Sequence, residues 1–338
     1  MPVWEGPVSE AGLPCAWERV LNIWAAEPCI DPRAVTRARR SLEILFGDLI
    51  NSPDPDRFRR STLTMTGSPF EPAFSSLAPG VRYTVDPAPY GVCLRERLDY
   101  ALSVLSKLNA PVAPGQLIRR LATMQSTGEL RYGSQIGARH GASDDSYKLY
   151  VEIPPEAALE ADVFGEELLG SPPVLNVPGR NARPSLAGID LTSGRIELYY
   201  RIENLHPLEI RTLLSRADAG GRAEEMLALL AESQPRPILH ELPGATWGFS
   251  YSRDIDGAMT FTIYTFARTL FGPDGWVRDA VLGMGRRHGW KLTGYPRMSE
   301  PLAGRRGFRC HHGIIGLVAR PGCPLAAWIG LAPPGMGA

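Results

Sequence analysis

Two segments of the chain set charged and aromatic side chains at alternate positions. As a strand, Lys148-Leu149-Tyr150-Val151-Glu152-Ile153 puts Lys148, Tyr150 and Glu152 on one face and Leu149, Val151 and Ile153 on the other. Likewise Arg195, Glu197, Tyr199 and Arg201 share a face opposite Ile196, Leu198 and Tyr200. Enclosed, such a polar and aromatic face costs desolvation free energy unless it holds water or a ligand. Pattern alone leaves a ligand cavity and a plain solvated lumen both standing. The tightest run of metal-ligand types is Cys310-His311-His312. Neighbours on a strand point to opposite faces, so three in a row converge poorly on one ion, and strand residues of mixed burial are the expectation. The sequence has no GxGxxG opening a helix, no GxxxxGK[ST], no HExxH and no GxSxG, and Asp144-Asp145 belongs to no DDxxD repeat.

The elements that must position these residues alternate as helix pairs and strand pairs. Helical spacing of apolar residues marks about 14–28 and 32–47, the second opened by Asp31 as N-cap and Pro32 in the first turn. Extended segments follow at Ser61–Met65 and Val81–Val85, then helices at about 92–109 and 114–126. Strands at about 131–140 and 146–153, then 185–191 and 194–203, lead to helices at about 207–216 and 220–233. Strands at about 246–253 and 258–266 precede a helix at 273–288, and strands at about 306–319 and 324–331 close the chain. The proline-rich stretch 154–184 reads as a loop insertion.

This is one repeating unit, helix–strand–strand–helix. Its second strand carries an aromatic residue at Tyr150, Tyr199, Tyr264 and Trp328, spaced by 49, 65 and 64 residues. About ten antiparallel strands joined in this way close naturally into a single barrel with helices outside and room for a central cavity. The whole chain, 1–338, is expected to form one α+β domain.

Composition narrows the partners. Lysine plus arginine and aspartate plus glutamate both number 36, so there is no basic excess of the kind non-specific nucleic-acid binding needs. No apolar run has the length of a membrane span, and the first residues show no basic stretch followed by an apolar core. Five scattered cysteines without a CxxC pair read as reduced thiols. The expectation is a soluble cytoplasmic protein with no nucleic-acid or membrane partner, as monomer or homodimer.

Met65-Thr66-Gly67-Ser68-Pro69-Phe70-Glu71-Pro72-Ala73-Phe74-Ser75, followed by Val81-Arg82-Tyr83-Thr84-Val85-Asp86-Pro87, resembles the aromatic prenyltransferases of the dimethylallyltryptophan synthase type. That family shows TPxE-F-S, then VR-[FY]-x-[IV]-[ED]-P, and on later strands K-x-Y, R-x-K-x-Y, [KQ]-x-Y and a final aromatic. Counterparts stand here in the same order, over about residues 60–332. The resemblance implies a ten-stranded antiparallel barrel of αββα units, the ABBA barrel. It also implies transfer of an allyl group from dimethylallyl diphosphate to an electron-rich ring, usually an indole such as tryptophan, in secondary metabolism and without a required metal.

By the resemblance, Arg82, Lys148 and Arg195 would bind the diphosphate, with Tyr150, Tyr199, Tyr264 and Trp328 bonding it and walling the allylic cation. Glu71, which by itself reads as a loop glutamate among prolines, would be the general base. Leu63, Arg183, Glu152 and Gln135 fall near the acceptor. Two positions depart from the pattern: Glu197 replaces a lysine and Thr262 a lysine or glutamine. Glu197 would pair with Arg195 or Arg201, recruit a divalent cation such as Mg2+, or weaken the diphosphate site. The alternatives are the same barrel acting on a tyrosine, a phenol or a peptide residue, or a non-catalytic binder of a small ligand.

Overall fold

The structure, a computed structural model, describes residues 13–50, 60–170, 182–232, 238, 241–254, 256–307 and 310–334. The first five residues, 171–181 of the expected loop, 233 of the expected helix and 308–309 of the last expected hairpin fall outside them.

Helices α1 (Leu13–Ala25), α2 (Pro32–Leu45) and α3 (Gly47–Ile50) come first. Asp31 caps α2 as its sequence suggests, its side chain accepting from the Arg33 N–H at 2.7 Å. Strands β1 (Phe70–Ser75) and β2 (Val81–Val85) follow, then α4 (Arg97–Lys107), α5 (Gly115–Ser126), β3 (Ser134–His140) and β4 (Asp145–Glu152). After α6 (Ala158–Leu169) come β5 (Arg183–Asp190), β6 (Ile196–Glu203), α7 (Pro207–Ser215) and α8 (Ala223–Ala231). The chain ends with β7 (Thr246–Arg253), β8 (Met259–Phe266), α9 (Ala267–Phe271), α10 (Asp274–His288), α11 (Tyr295–Met298), β9 (His312–Ala319) and β10 (Ala326–Leu331).

All ten strands pair antiparallel in sequence order, and β1 closes on β10 to complete the barrel. One end of the barrel carries the hairpin turns and the other the helical connections. The outward residues bury fully: Phe70, Phe74, Leu149, Val151, Leu198, Phe249, Phe261 and Ile329 are at most 2% exposed. They meet Trp24 from α1, Leu42 from α2, Phe46 at the end of α2 and Leu213 from α7 in one core between barrel and helices. Each such side chain contributes roughly 1.5–3 kcal/mol on burial. The opposite, polar parity is thereby turned into the lumen, as the alternation predicts.

Two Asp–His–Tyr chains tie helices to the barrel at its two ends. At the hairpin end Asp145 bonds His140 Nδ1 (2.8 Å), His140 Nε2 bonds the Tyr83 hydroxyl (2.9 Å), and Arg37 from α2 donates to Asp145 (2.8 Å). At the helical end Asp274 accepts from the His311 and His312 N–H groups and from His312 Nδ1 at 2.7 Å. His312 Nε2 then reaches the Tyr295 hydroxyl at 3.0 Å. Burial opposes the charge of Asp274, but these donors outweigh it and hold the carboxyl down at about 2. Cys310, His311 and His312 are thus all buried around a carboxylate, not of mixed burial.

Two further expectations are corrected. Ser61–Met65 is no strand, because its hydroxyls bond locally: Ser61 Oγ accepts from the Leu63 N–H (3.1 Å) and Thr64 Oγ1 donates to the Ser68 carbonyl (3.0 Å). Gly67, at φ 81°, turns the chain there, and the first strand begins only at Phe70. The stretch 154–184 contains α6 as well as the start of β5. Its prolines include Pro155, which opens a helical turn, and Ala161, Phe164 and Leu169 bury one face of the helix that follows.

Candidate active site

The lumen is lined by the strand residues of the parity opposite to the packed core. Glu71 on β1, Arg82 and Thr84 on β2, and Gln135 and Arg139 on β3 share the parity opposite to the packed Phe70, Tyr83 and Ile136. Lys148 and Tyr150 on β4, Glu197 and Tyr199 on β6, Thr262 and Tyr264 on β8 and Trp328 on β10 continue it round the wall. Lys148 and Glu197 keep 19% and 15% of their side-chain surface, so water reaches this wall.

Four aromatic side chains lie flat against the neighbouring strand because that strand offers a glycine. A Cβ at Gly137 would come within 2.9 Å of Tyr150, at Gly188 within 3.1 Å of Tyr199, at Gly248 within 2.1 Å of Tyr264 and at Gly316 within 2.4 Å of Trp328. The sequence reading missed these partners, although a glycine on the first strand of each hairpin was its visible signal. The result is a tyrosine ladder, Tyr150 to Tyr199 at 6.0 Å and 62° and Tyr199 to Tyr264 at 6.1 Å and 64°. Burial pushes the Tyr199 and Tyr264 phenols up, so they remain neutral hydrogen-bond donors.

Glu71 sits over two further glycines, Gly313 and Gly330, and is bonded by no side chain among the described residues. Burial pushes its carboxyl up to about 8. An unpaired carboxyl titrating near neutrality, in an enclosed aromatic lumen, has the properties of a general base. Glu71 pairs in register with Thr84 and Pro72 with Tyr83, so Glu71 and Arg82 lie two residues apart along one wall, about 7 Å. Gly313→Ala would put a methyl group 2.0 Å from a Glu71 oxygen. Because the carboxyl ends a flexible side chain, it yields before the backbone does. We expect Gly313→Ala to keep its melting temperature within a few degrees while kcat falls ~10²-fold, read by steady-state kinetics beside a thermal melt.

The basic residues divide into two groups. Lys148 forms an ion pair with Glu197, and its Nζ also donates to the Tyr199 hydroxyl at 3.0 Å. Ser250 Oγ donates to the other Glu197 oxygen at 2.5 Å. Burial works against both charges, but each partner more than offsets it, raising Lys148 and lowering Glu197, so both are ionised. Neither Arg195 nor Arg201 is the partner of Glu197: Arg195 is held by Asp254 at 2.6 Å and Arg201 is exposed. The pair forms across β5, where Gly188 leaves the space that Lys148 crosses; a Cβ there would be 2.5 Å from its Cε.

Arg82 is different. Burial and the nearby charges of Arg139 and Arg320 bring its guanidinium down to about 10. The alternation on β3 already exposes Arg139, two residues past Gly137. Arg320, in the turn after β9, has no local signal and is brought in by closure of the barrel.

The residues expected near the acceptor scatter. Gln135 faces the lumen opposite Tyr150. Arg183 is exposed at the helical end beside Arg201. The Leu63 N–H is already taken by Ser61. Glu152 is not presented to a substrate: it is 5% exposed and accepts from the Arg131, Tyr132 and Gly133 N–H groups at 2.7–3.0 Å. Its charge anchors the loop into β3.

No family model and no curated protein matches the sequence. Solved structures do match. The 5-dimethylallyltryptophan synthase of Streptomyces coelicolor superposes with a TM-score of 0.77 at 16% identity, over 97% of this chain and 99% of that one. The chain has the dimethylallyltryptophan synthase fold. Prenyltransferase PriB gives 0.74 at 17% identity over 97% and 98%. The 6-dimethylallyltryptophan synthase of Micromonospora olivasterospora, in complex with DMASPP and Trp, gives 0.70 at 17% over 96% and 98%. The barrel expected from the motifs is therefore present. None of the described helices is long and apolar enough to cross a membrane.

Proposed function

We propose that the chain transfers a dimethylallyl group from dimethylallyl diphosphate to the ring of an indole-type acceptor such as tryptophan. The observation that carries this reading is Glu71, an unpaired carboxyl poised to accept a proton, two residues along the wall from Arg82 in a tyrosine-lined lumen. The synthases that share the fold, crystallised with DMASPP and Trp, support this choice of donor and acceptor.

The donor's C–O bond breaks, leaving diphosphate and an allylic cation. Arginine side chains at the hairpin end stabilise the charge that develops on the diphosphate oxygens, most effectively where water is thin. The faces of Tyr150, Tyr199 and Tyr264 hold the cation by roughly 0.5–2 kcal/mol each and shield it from water. A ring carbon of the acceptor forms the new C–C bond and loses its proton. Glu71 accepts a hydrogen bond from the indole N–H, which raises the ring's nucleophilicity, and collects the proton released. On this reading Glu197 does not recruit a divalent cation, since both its oxygens are engaged by Lys148 and Ser250.

The test is incubation with dimethylallyl diphosphate and tryptophan, with EDTA or with Mg2+, followed by mass spectrometry. We expect product in which one dimethylallyl group replaces a hydrogen, in equal yield under both conditions. Donor turnover only with a phenol or a tyrosine peptide would move the acceptor. No turnover with any aromatic ring would end the reading.

A further inference from the structure

The proposed donor carries a polyanion, and the basic side chains of this lumen are not equally free to meet it. Lys148 and Arg195 are spent on Glu197 and Asp254. Arg82, Arg139 and Arg320 have no ion pair among the described residues, and the Nε atoms of Arg82 and Arg320 are buried without a hydrogen-bond partner. Arg82 and Arg139 are register partners on β2 and β3, so they project side by side. Arg320 lies at the same end of the barrel, close enough that its charge depresses that of Arg82. Three converging guanidinium groups without a counter-ion repel one another, and buried Nε donors without acceptors cost free energy. A multiply charged phosphate group removes both costs, since each planar guanidinium can bind its oxygens in a fork.

We propose that the anionic group of the donor is seated on Arg82, Arg139 and Arg320, on the β2–β3 and β9 side of the hairpin end, and that Glu197 withholds Lys148 from it. This rests on the donor reading above and sharpens it. The lysine-to-glutamate change noted in the sequence does not abolish the anion site. It shifts the site's charge along the wall to β2, β3 and the end of β9, beside the Lys148–Glu197 pair, which is left as a neutral surface.

The experiment is calorimetric titration of the full chain with inorganic pyrophosphate at low salt, each variant first checked by its thermal melt. Arg139→Gln and Arg320→Gln should each weaken binding about 10–100-fold. Arg139 is exposed, so its replacement puts the fold least at risk. Glu197→Gln alone should tighten binding about tenfold by releasing the charge of Lys148. Removing the pair as a neutral unit, Lys148→Met with Glu197→Gln, should leave the affinity within about threefold of the parent. If instead the double variant loses affinity while Arg139→Gln and Arg320→Gln keep it, the seat is on Lys148 and the inference is overturned with the donor reading intact. If the parent chain binds no pyrophosphate, both fall together.

Discussion

Glu71→Gln is expected to lower dimethylallyl transfer by ~10²-fold or more while pyrophosphate and donor binding stay as they are. The amide keeps the shape over Gly313 and Gly330 but cannot take a proton. The pH profile gives a second, independent reading. Only the ionised carboxylate accepts the proton, and its pKa is near 8, so kcat/KM should rise with pH and level off beyond about 8. Glu71→Gln should flatten that rise. A variant with unchanged turnover and the same pH profile would remove Glu71 from the chemistry.

The same raised pKa makes a stability statement of known sign. Below the unfolded value of 4.5 the carboxyl is protonated in both states and costs nothing. Between 4.5 and about 8 the unfolded chain ionises while the folded one stays protonated, so the folded state loses up to about 1.4 kcal/mol per pH unit. Water in the lumen lowers that figure. The stabilisation of Glu71→Gln over the parent should therefore be absent near pH 4, grow to pH 8 and then stay constant. Urea midpoints at three pH values measure it. A site kept this way sacrifices stability for reactivity.

What could be read in the sequence was whatever repeats with a short period. Lys148/Tyr150 against Leu149/Val151, and Glu197/Tyr199 against Leu198/Tyr200, sort to the correct faces because a strand alternates whatever surrounds it. The helix opened by Asp31 and Pro32 was legible for a similar reason, since capping is local. α6 was hidden because the same prolines that mark a loop also start a helix. Ser61–Met65 looked extended because β-propensity ignores what a hydroxyl does to its own backbone.

The site was less legible where it depends on barrel closure. Glu197 was identified as the departure that matters, but its partner was not, because Lys148 lies on a strand two places away and reaches over Gly188. Nothing within a few residues of Glu197 signals that. Arg195 and Arg201 were the natural choices on its own strand, and the first is held by Asp254. Arg320 joins Arg82 only because β1 and β10 close between them. Glu152 shows the converse: its side chain points as the alternation says, yet three backbone N–H groups claim it first.

Asp86→Ala should be the most destabilising of the changes considered, by about 3–5 kcal/mol. Asp86 ends the β2 motif and is 2% exposed, with both oxygens on Arg97 Nη1 at 2.8 and 2.9 Å and one on Ser61 Oγ at 2.8 Å. It therefore joins the end of β2 to the start of α4 and to the turn that leads into Glu71. Burial pushes its pKa up against the pull of Arg97 and Ser61, so forming the pair adds little net stability. Losing one partner is another matter, because Arg97 would keep a buried charge with no counter-ion. The contrast is testable in one experiment. Asp86→Ala should shift the urea midpoint strongly at constant slope, whereas Asp86→Leu combined with Arg97→Met should recover most of the loss. If the two variants are equally unstable, the carboxylate's bonds themselves hold the fold. If Asp86→Ala costs less than about 1 kcal/mol, Arg97 finds water, and the turn before β1 is held by something other than this charge.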